Sequence, residues 1–96
     1  MDKIFRSYYP ILKPKLPELP SFYWKRNCYA TFMDDPIGVK LMDDIGADNV
    51  MWAIDDPHPE SIYGYAASVA KSVYDAVGQE KAEKVLGGTA AKLYGF

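Results

Sequence analysis

The residues of this chain best suited to chemistry stand in one stretch, Val50-Met51-Trp52-Ala53-Ile54-Asp55-Asp56-Pro57-His58-Pro59. Five apolar residues run into an aspartate, and a loop broken by prolines follows, carrying the only histidine of the chain. An apolar run of that length, entered from the turn residues Ala47-Asp48-Asn49, reads as a strand buried on both faces. In parallel α/β architectures, reactive groups collect at the carboxyl ends of such strands, which makes Asp55 the candidate functional acid. His58, three residues further along the same loop, either lines a substrate pocket or is a loop histidine that packs locally.

The remaining reactive side chains carry plainer expectations. Asp34-Asp35 precedes Pro36 and reads as a helix cap, and Asp43-Asp44 reads as a solvated helix face. Cys28 is the single cysteine, so no intramolecular disulfide forms. It is expected as a small buried core residue of a strand, and a reducing cytoplasmic setting is the default for such usage. The sequence contains no Ser/His/Asp arrangement, glycine-rich phosphate loop or Cys/His cluster.

The elements that must position Asp55 follow from pattern. Cys28-Tyr29-Ala30-Thr31-Phe32-Met33 is rich in strand-favouring residues and reads as a first strand. Asp35-Pro36 opens a helix, with Ile37, Leu41 and Ile45 spaced by four on one face beside Met42, and Gly46 closes it. The second strand runs from Val50 to Ile54, so the unit is strand, helix, parallel strand. Ile62, Ala66, Val69, Ala70, Val73 and Val77 then mark a long helix that Gly78 ends. A shorter helix from Glu80 to Leu86 is expected to stop at Gly87-Gly88, and Thr89 to cap a last turn from Ala90 to Tyr94.

Residues 1–24 differ in composition. Pro10, Pro14, Pro17 and Pro20 recur with Lys13 and Lys15 between them, predicting an extended arm flanked by aromatic rings. Residues 1–26 hold six of the eleven Lys and Arg against two of the thirteen acids. The body is therefore acidic, which argues against a nucleic-acid-binding surface. No run is long and apolar enough to be a membrane span, and no apolar signal core opens the sequence, so a soluble protein without a membrane or nucleic-acid partner is expected.

Four stretches in this order resemble the C-terminal part of the metal-dependent amidohydrolases of the amidohydrolase-2 branch, which also holds decarboxylases of aromatic acids. Pro20-Ser21-Phe22-Tyr23-Trp24-Lys25-Arg26-Asn27 resembles the segment leading into the seventh barrel strand. Gly46-Ala47-Asp48-Asn49-Val50-Met51-Trp52 is similar to the turn into strand eight. Asp55-Asp56-Pro57-His58-Pro59-Glu60 is similar to the Ser-Asp-Tyr-Pro-His box that ends that strand. Gly88-Thr89-Ala90-Ala91-Lys92-Leu93-Tyr94-Gly95 resembles the closing Asn-Ala-Ala-Arg-Leu-Tyr-Gly signature. Ile54, Asp56 and Thr89 depart from the serine, aromatic residue and asparagine of those patterns.

The resemblance implies a fold and a site. A (β/α)₈ barrel takes about 250 residues, or roughly 30 per unit. Residues 25–96 would then be a partial TIM-barrel segment of order β-α-β-α with a C-terminal helical tail, behind an arm over residues 1–24. The resemblance makes Asp55 the catalytic aspartate and a ligand of a divalent metal, zinc or manganese, and leaves His58 a pocket candidate. A zinc-like site needs three or more protein ligands, and the family draws its histidines from earlier strands. The expected function is that of a fragment or truncated relative of a metal-dependent hydrolase or decarboxylase, inactive without the missing ligands. The alternative is a non-catalytic small α/β protein that folds as a homo-oligomer. The expected partner is thus either a second copy or the remainder of the barrel.

Overall fold

Ala30–Phe32 (β1) and Val50–Trp52 (β2) pair in parallel, Ala30 opposite Val50 and Phe32 opposite Trp52, in a computed structural model that describes residues 1–12 and 16–96. The ladder extends past β2, where the Ala53 amide donates to the Phe32 carbonyl at 2.9 Å. Helices α1 (Asp2–Leu12) and α2 (Pro20–Asn27) precede the sheet. Helices α3 (Pro36–Lys40) and α4 (Met42–Ile45) carry the chain from β1 to β2. After β2 come α5 (Ala66–Val77), α6 (Gln79–Glu83), a π-helical turn over Lys84–Gly88, and α7 (Thr89–Tyr94). The protein is a helix-rich α/β unit with the parallel strand pair expected from the sequence. None of the described helices is long and apolar enough to cross a membrane.

Local chemistry sets several of these boundaries. The Asp35 carboxylate accepts the Gly38 amide at 2.9 Å and Pro36 takes the first helical position, so α3 starts as its sequence predicts. A Cβ on Gly38 would lie 2.7 Å from Asp35 Oδ2, so a larger residue there obliges the capping carboxylate to shift. Gly46 and Gly78 close α4 and α5 at φ of 98° and 83°, values that disfavour any residue with a Cβ.

The helices cover one face of the strand pair. Val39, Val73 and Ala82 form one buried cluster, and Met42, Val50 and Val85 form another, with Phe32 and Val77 packed against both. Each such aliphatic side chain contributes about 1.5–3 kcal/mol when taken fully from water. Ile62, Val69 and Val73 are buried and Ala66, Ala70 and Val77 half-buried, which is the apolar face expected for the long helix. Ile62 itself lies ahead of α5, and the turn Tyr63–Tyr65 separates them.

Two side chains tie the connections to this core. Asn49 is buried, and its Nδ2 amide points at three carbonyls, those of Lys25 and Cys28 at 2.9 Å and of Trp24 at 3.3 Å. The Trp24 indole in turn donates to the Ile45 carbonyl at 3.0 Å. Asn49 thereby fixes the end of α2 against the start of β2. Thr89 is buried too, and its hydroxyl donates to the Ala47 carbonyl at 2.9 Å, fastening α7 to the same turn.

Five expectations are corrected. Residues 2–12 and 20–27 are helical rather than extended: Pro20 takes the first position of α2, where proline is tolerated, and α1 runs through Pro10, which forfeits one backbone hydrogen bond near the end of the helix. Lys13, Pro14 and Lys15 of the expected arm lie outside the described residues. Leu41 breaks the single expected helix at φ −94° and ψ 12°, which turns the buried face to Val39 and Met42 and leaves Ile37 71% exposed. The strands are shorter than Cys28–Met33 and Val50–Ile54. Cys28 is exposed, since it caps α2 instead of entering β1. Gly87-Gly88 does not stop the helix: the chain widens into the π turn and continues, with Val85 and Thr89 both turned inward and Thr89 in mid-helix rather than at a cap.

At the other end, Asp2 receives both the amide and the hydroxyl of Ser21, which joins α1 to α2. These bonds, the hydroxyl's first, hold the Asp2 carboxyl below its ordinary value. A depressed folded-state value means that the contact is intact above the unfolded pKa and is lost as pH falls through the lowered one. The Ser21 amide resonance is expected to titrate with a midpoint below that of an ordinary aspartate; a midpoint at or above the ordinary one contradicts the contact. Asn49→Ala strips donors from carbonyls at the α2–β1 junction and is expected to lower stability by about 1–3 kcal/mol in urea unfolding. Asn49→Asp, which aims a carboxylate at the same carbonyls, is expected to be worse.

Candidate functional site

Asp55 lies three residues beyond β2, on the carboxyl side of both parallel strands. A cavity of about 240 Å³ opens there, lined by Thr31, Phe32, Met33, Ala53 and Asp55. Thr31, Met33, Ala53 and Asp55 alternate with residues that face the helices, as the two-residue period of a strand requires. The Trp52 indole donates to the Met33 carbonyl at 2.8 Å and so holds the strand ends together across the rim.

The loop after Asp55 is closed on itself. Ile54 carbonyl accepts both the Ile62 amide at 3.1 Å and the Ser61 hydroxyl at 2.6 Å. Inside that closure, the His58 amide donates to the Asp55 carbonyl and the Ser61 amide to the His58 carbonyl, both at 2.9 Å. The backbone at Asp55 takes φ of 56°, the left-handed region that aspartate enters more readily than most residues. That turn re-aims the chain immediately after the strand.

Asp55 and His58 are brought near each other but not into a hydrogen bond. His58 Nδ1 is 3.8 Å from Asp55 Oδ2, and both side chains are more than half exposed. At this distance the two attract as an ion pair only when the imidazole carries its second proton. His58 stands outside the residues lining the cavity, so of the two sequence candidates only Asp55 faces it.

The sequence resemblance implies a divalent metal, which sets a requirement on the donor set. A tetrahedral zinc site draws on three or more side chains. Among the described residues, no three of His, Cys, Asp and Glu converge. Asp35 is committed to the α3 cap, Asp43 is paired with Lys81, and Asp48 lies 3.1 Å from Lys84. Asp55 and His58 alone can offer a cation two ligands from one side. The residues present do not make up a metal site on their own.

Sequence reasoning located Asp55 and missed its neighbours. Thr31 and Met33 are in phase with one another on β1 and its extension, and their alternation with Phe32 was the available signal. Asn49 and Trp52 gave none, since both work through bonds to backbone carbonyls distant in sequence.

Comparison with known proteins identifies a family. The amidohydrolase family model fits residues 9–96. No curated protein matches the chain.

The left-handed backbone at Asp55 yields a test of how the carboxylate is held. Asp55→Gly is expected to leave stability unchanged or raise it by up to about 1 kcal/mol, while Asp55→Val lowers it by about 1–2 kcal/mol. Equal stability of the two variants in chemical denaturation would contradict that conformation.

Proposed function

The chain belongs to the amidohydrolase family, and from that premise we propose that it supplies the last two strand-helix units of a divalent-metal hydrolase or decarboxylase barrel. Asp55 is the strand-end carboxylate of that site, ligating zinc or manganese and accepting a proton from substrate or water when the site is complete. The other ligands come from residues other than these 96. The observation that supports this reading is the placement of Asp55 on a cavity beyond the carboxyl ends of two adjacent parallel strands, where barrel enzymes carry their chemistry. Thr31 and Met33 give that cavity a polar and an apolar wall, and His58 stands at its margin, suited to meet a substrate rather than the metal.

The metal when bound supplies Lewis acidity and lowers the pKa of coordinated water. What this chain contributes is position: a rigid strand end, a closed loop that fixes the carboxylate, and an indole that pins the rim. The substrate class consistent with the family is an amide, an ester, a lactone or a carboxylated aromatic ring.

A second reading has its own supporting observation. Both edges of the two-stranded sheet lack a strand partner among the described residues, and α1 exposes Ile4, Tyr8 and Ile11. Two strands do not normally stand alone, so these surfaces favour a non-catalytic protein that assembles with copies of itself.

The first reading is tested by metal analysis. The purified chain, dialysed against zinc or manganese, is expected to retain well under one ion per chain. Co-expression with a polypeptide carrying the first six strand-helix units of an amidohydrolase is expected to restore one ion per complex, and Asp55→Asn to remove it. One tightly held ion on the 96-residue chain alone, or retention in the Asp55→Asn complex, would sink the assignment.

A further inference from the structure

Helix α1 has no obvious place on its own body. It is fastened to α2 by Asp2 and Ser21, and α2 is fastened through Trp24 and Asn49 to the side of the molecule where the strands begin. The molecule is correspondingly elongated, 51 Å along its longest axis against 30 and 28 Å across. Ile4, Tyr8 and Ile11 are spaced by four and three residues, so they form one stripe along the helix. They are 65, 52 and 76% exposed, a pattern that a helix buried against its own chain would not show.

A second, complementary surface lies elsewhere. Between α3 and α5 runs a groove of about 230 Å³ whose floor is Phe32, Val39, Val69, Val73 and Ala76. Asp34 and Asp35 stand on its rim at the carboxyl end of β1, with Lys40 the one basic group beside them. The groove is apolar at its base and acidic at its mouth. The arm that carries α1 has the opposite character: residues 1–26 hold six of the eleven basic side chains and two of the thirteen acids. Lys3 and Arg6 of that excess are exposed on α1 itself.

We propose that α1 of one copy seats its Ile4–Tyr8–Ile11 stripe in the α3–α5 groove of a second copy, reciprocally, as a two-fold dimer. The mode is that of an amphipathic helix in an apolar groove, with the charge of the arm against the acidic rim selecting the site. One helix and one groove per copy allow either a reciprocal two-fold pair or an open head-to-tail chain, and the proposal commits to the closed pair. A second copy is chosen over a membrane surface because the groove and the helix match in both apolar character and sign of charge within the same sequence. The proposal rests on the self-assembly reading above and names its contact; it does not involve Asp55.

The test is the mass in solution of the full chain by light scattering and sedimentation, with three variants built on exposed positions. The unaltered chain is expected at twice its 10.8 kDa monomer mass. Ile4→Glu with Ile11→Glu is expected to weaken dimerisation at least about 10-fold without loss of helical signal. Lys3→Glu is expected to weaken it too, and adding Asp34→Lys to it to restore part of the loss. Two results overturn the proposal in different ways. A monomer at all concentrations, including one that instead sediments with anionic vesicles, overturns both this contact and the self-assembly reading. An oligomer indifferent to the α1 and Asp34 variants overturns the contact alone and leaves self-assembly through another surface, such as the sheet edges.

Discussion

Everything in this molecule depends on the weakness of its sheet. Two parallel strands of three residues carry only a few ladder bonds, and parallel pairs are found almost entirely where helices cover them. The helical layer is therefore a condition of the strands rather than an addition to them. Val50 and Phe32 are held in register because Met42, Val85, Val39 and Val73 pack against one face. The opposite face keeps an exposed Thr31 and the cavity beside Asp55, the side on which a barrel would place its interior.

That dependence explains why single polar side chains matter so much. With so short a ladder, the connections cannot be positioned by the sheet, and buried donors do the positioning instead. Asn49 reaches back to the end of α2, Thr89 fastens α7 to the turn before β2, and Trp52 clamps the residue after β1. Each of these bonds joins segments about 20 or more residues apart and meets at the strand pair. Among the described residues, no buried side-chain nitrogen or oxygen lacks a partner. The contrast with the surface ion pairs is instructive: Lys81 with Asp43 and Lys84 with Asp48 are largely solvated and each contributes little.

The sequence made legible whatever is decided by neighbours in the chain. The Asp35–Pro36 start, the glycine ends at Gly46 and Gly78, the face Val69–Val73–Val77 and the parallel strand pair all follow from local chemistry or from a period. The errors arose where tertiary packing overrode it. Gly87-Gly88 carries two strong helix-ending residues, yet the anchoring of Thr89 to Ala47 carries the chain through them as a π turn. The proline-rich start reads as extended from the density of its prolines, whereas Pro20 opens α2 at a tolerated position and α1 continues through Pro10 near its end. Cys28 was misplaced by two residues of strand boundary, enough to move it from core to surface. For the site, Asp55 was legible as the residue that stops an apolar run, and the rest of its cavity was not, because Thr31 and Met33 come from a strand 20 residues earlier.

The same asymmetry governs what Asp55 can do. A carboxylate becomes a catalyst or a firm ligand when other groups converge on it in a dry site, where charges act at full strength. Here the side chain is more than half exposed, and the His58 imidazole 3.8 Å away is equally open to water. Solvent on that scale keeps the carboxylate hydrated, however well its backbone is fixed. In the barrel proposed above, further strands against β1 or β2 would close the cavity and bring the other ligands with them. On that proposal fold completion and site completion are one event, since whatever covers the sheet edges also decides whether Asp55 faces a metal, a substrate or only water.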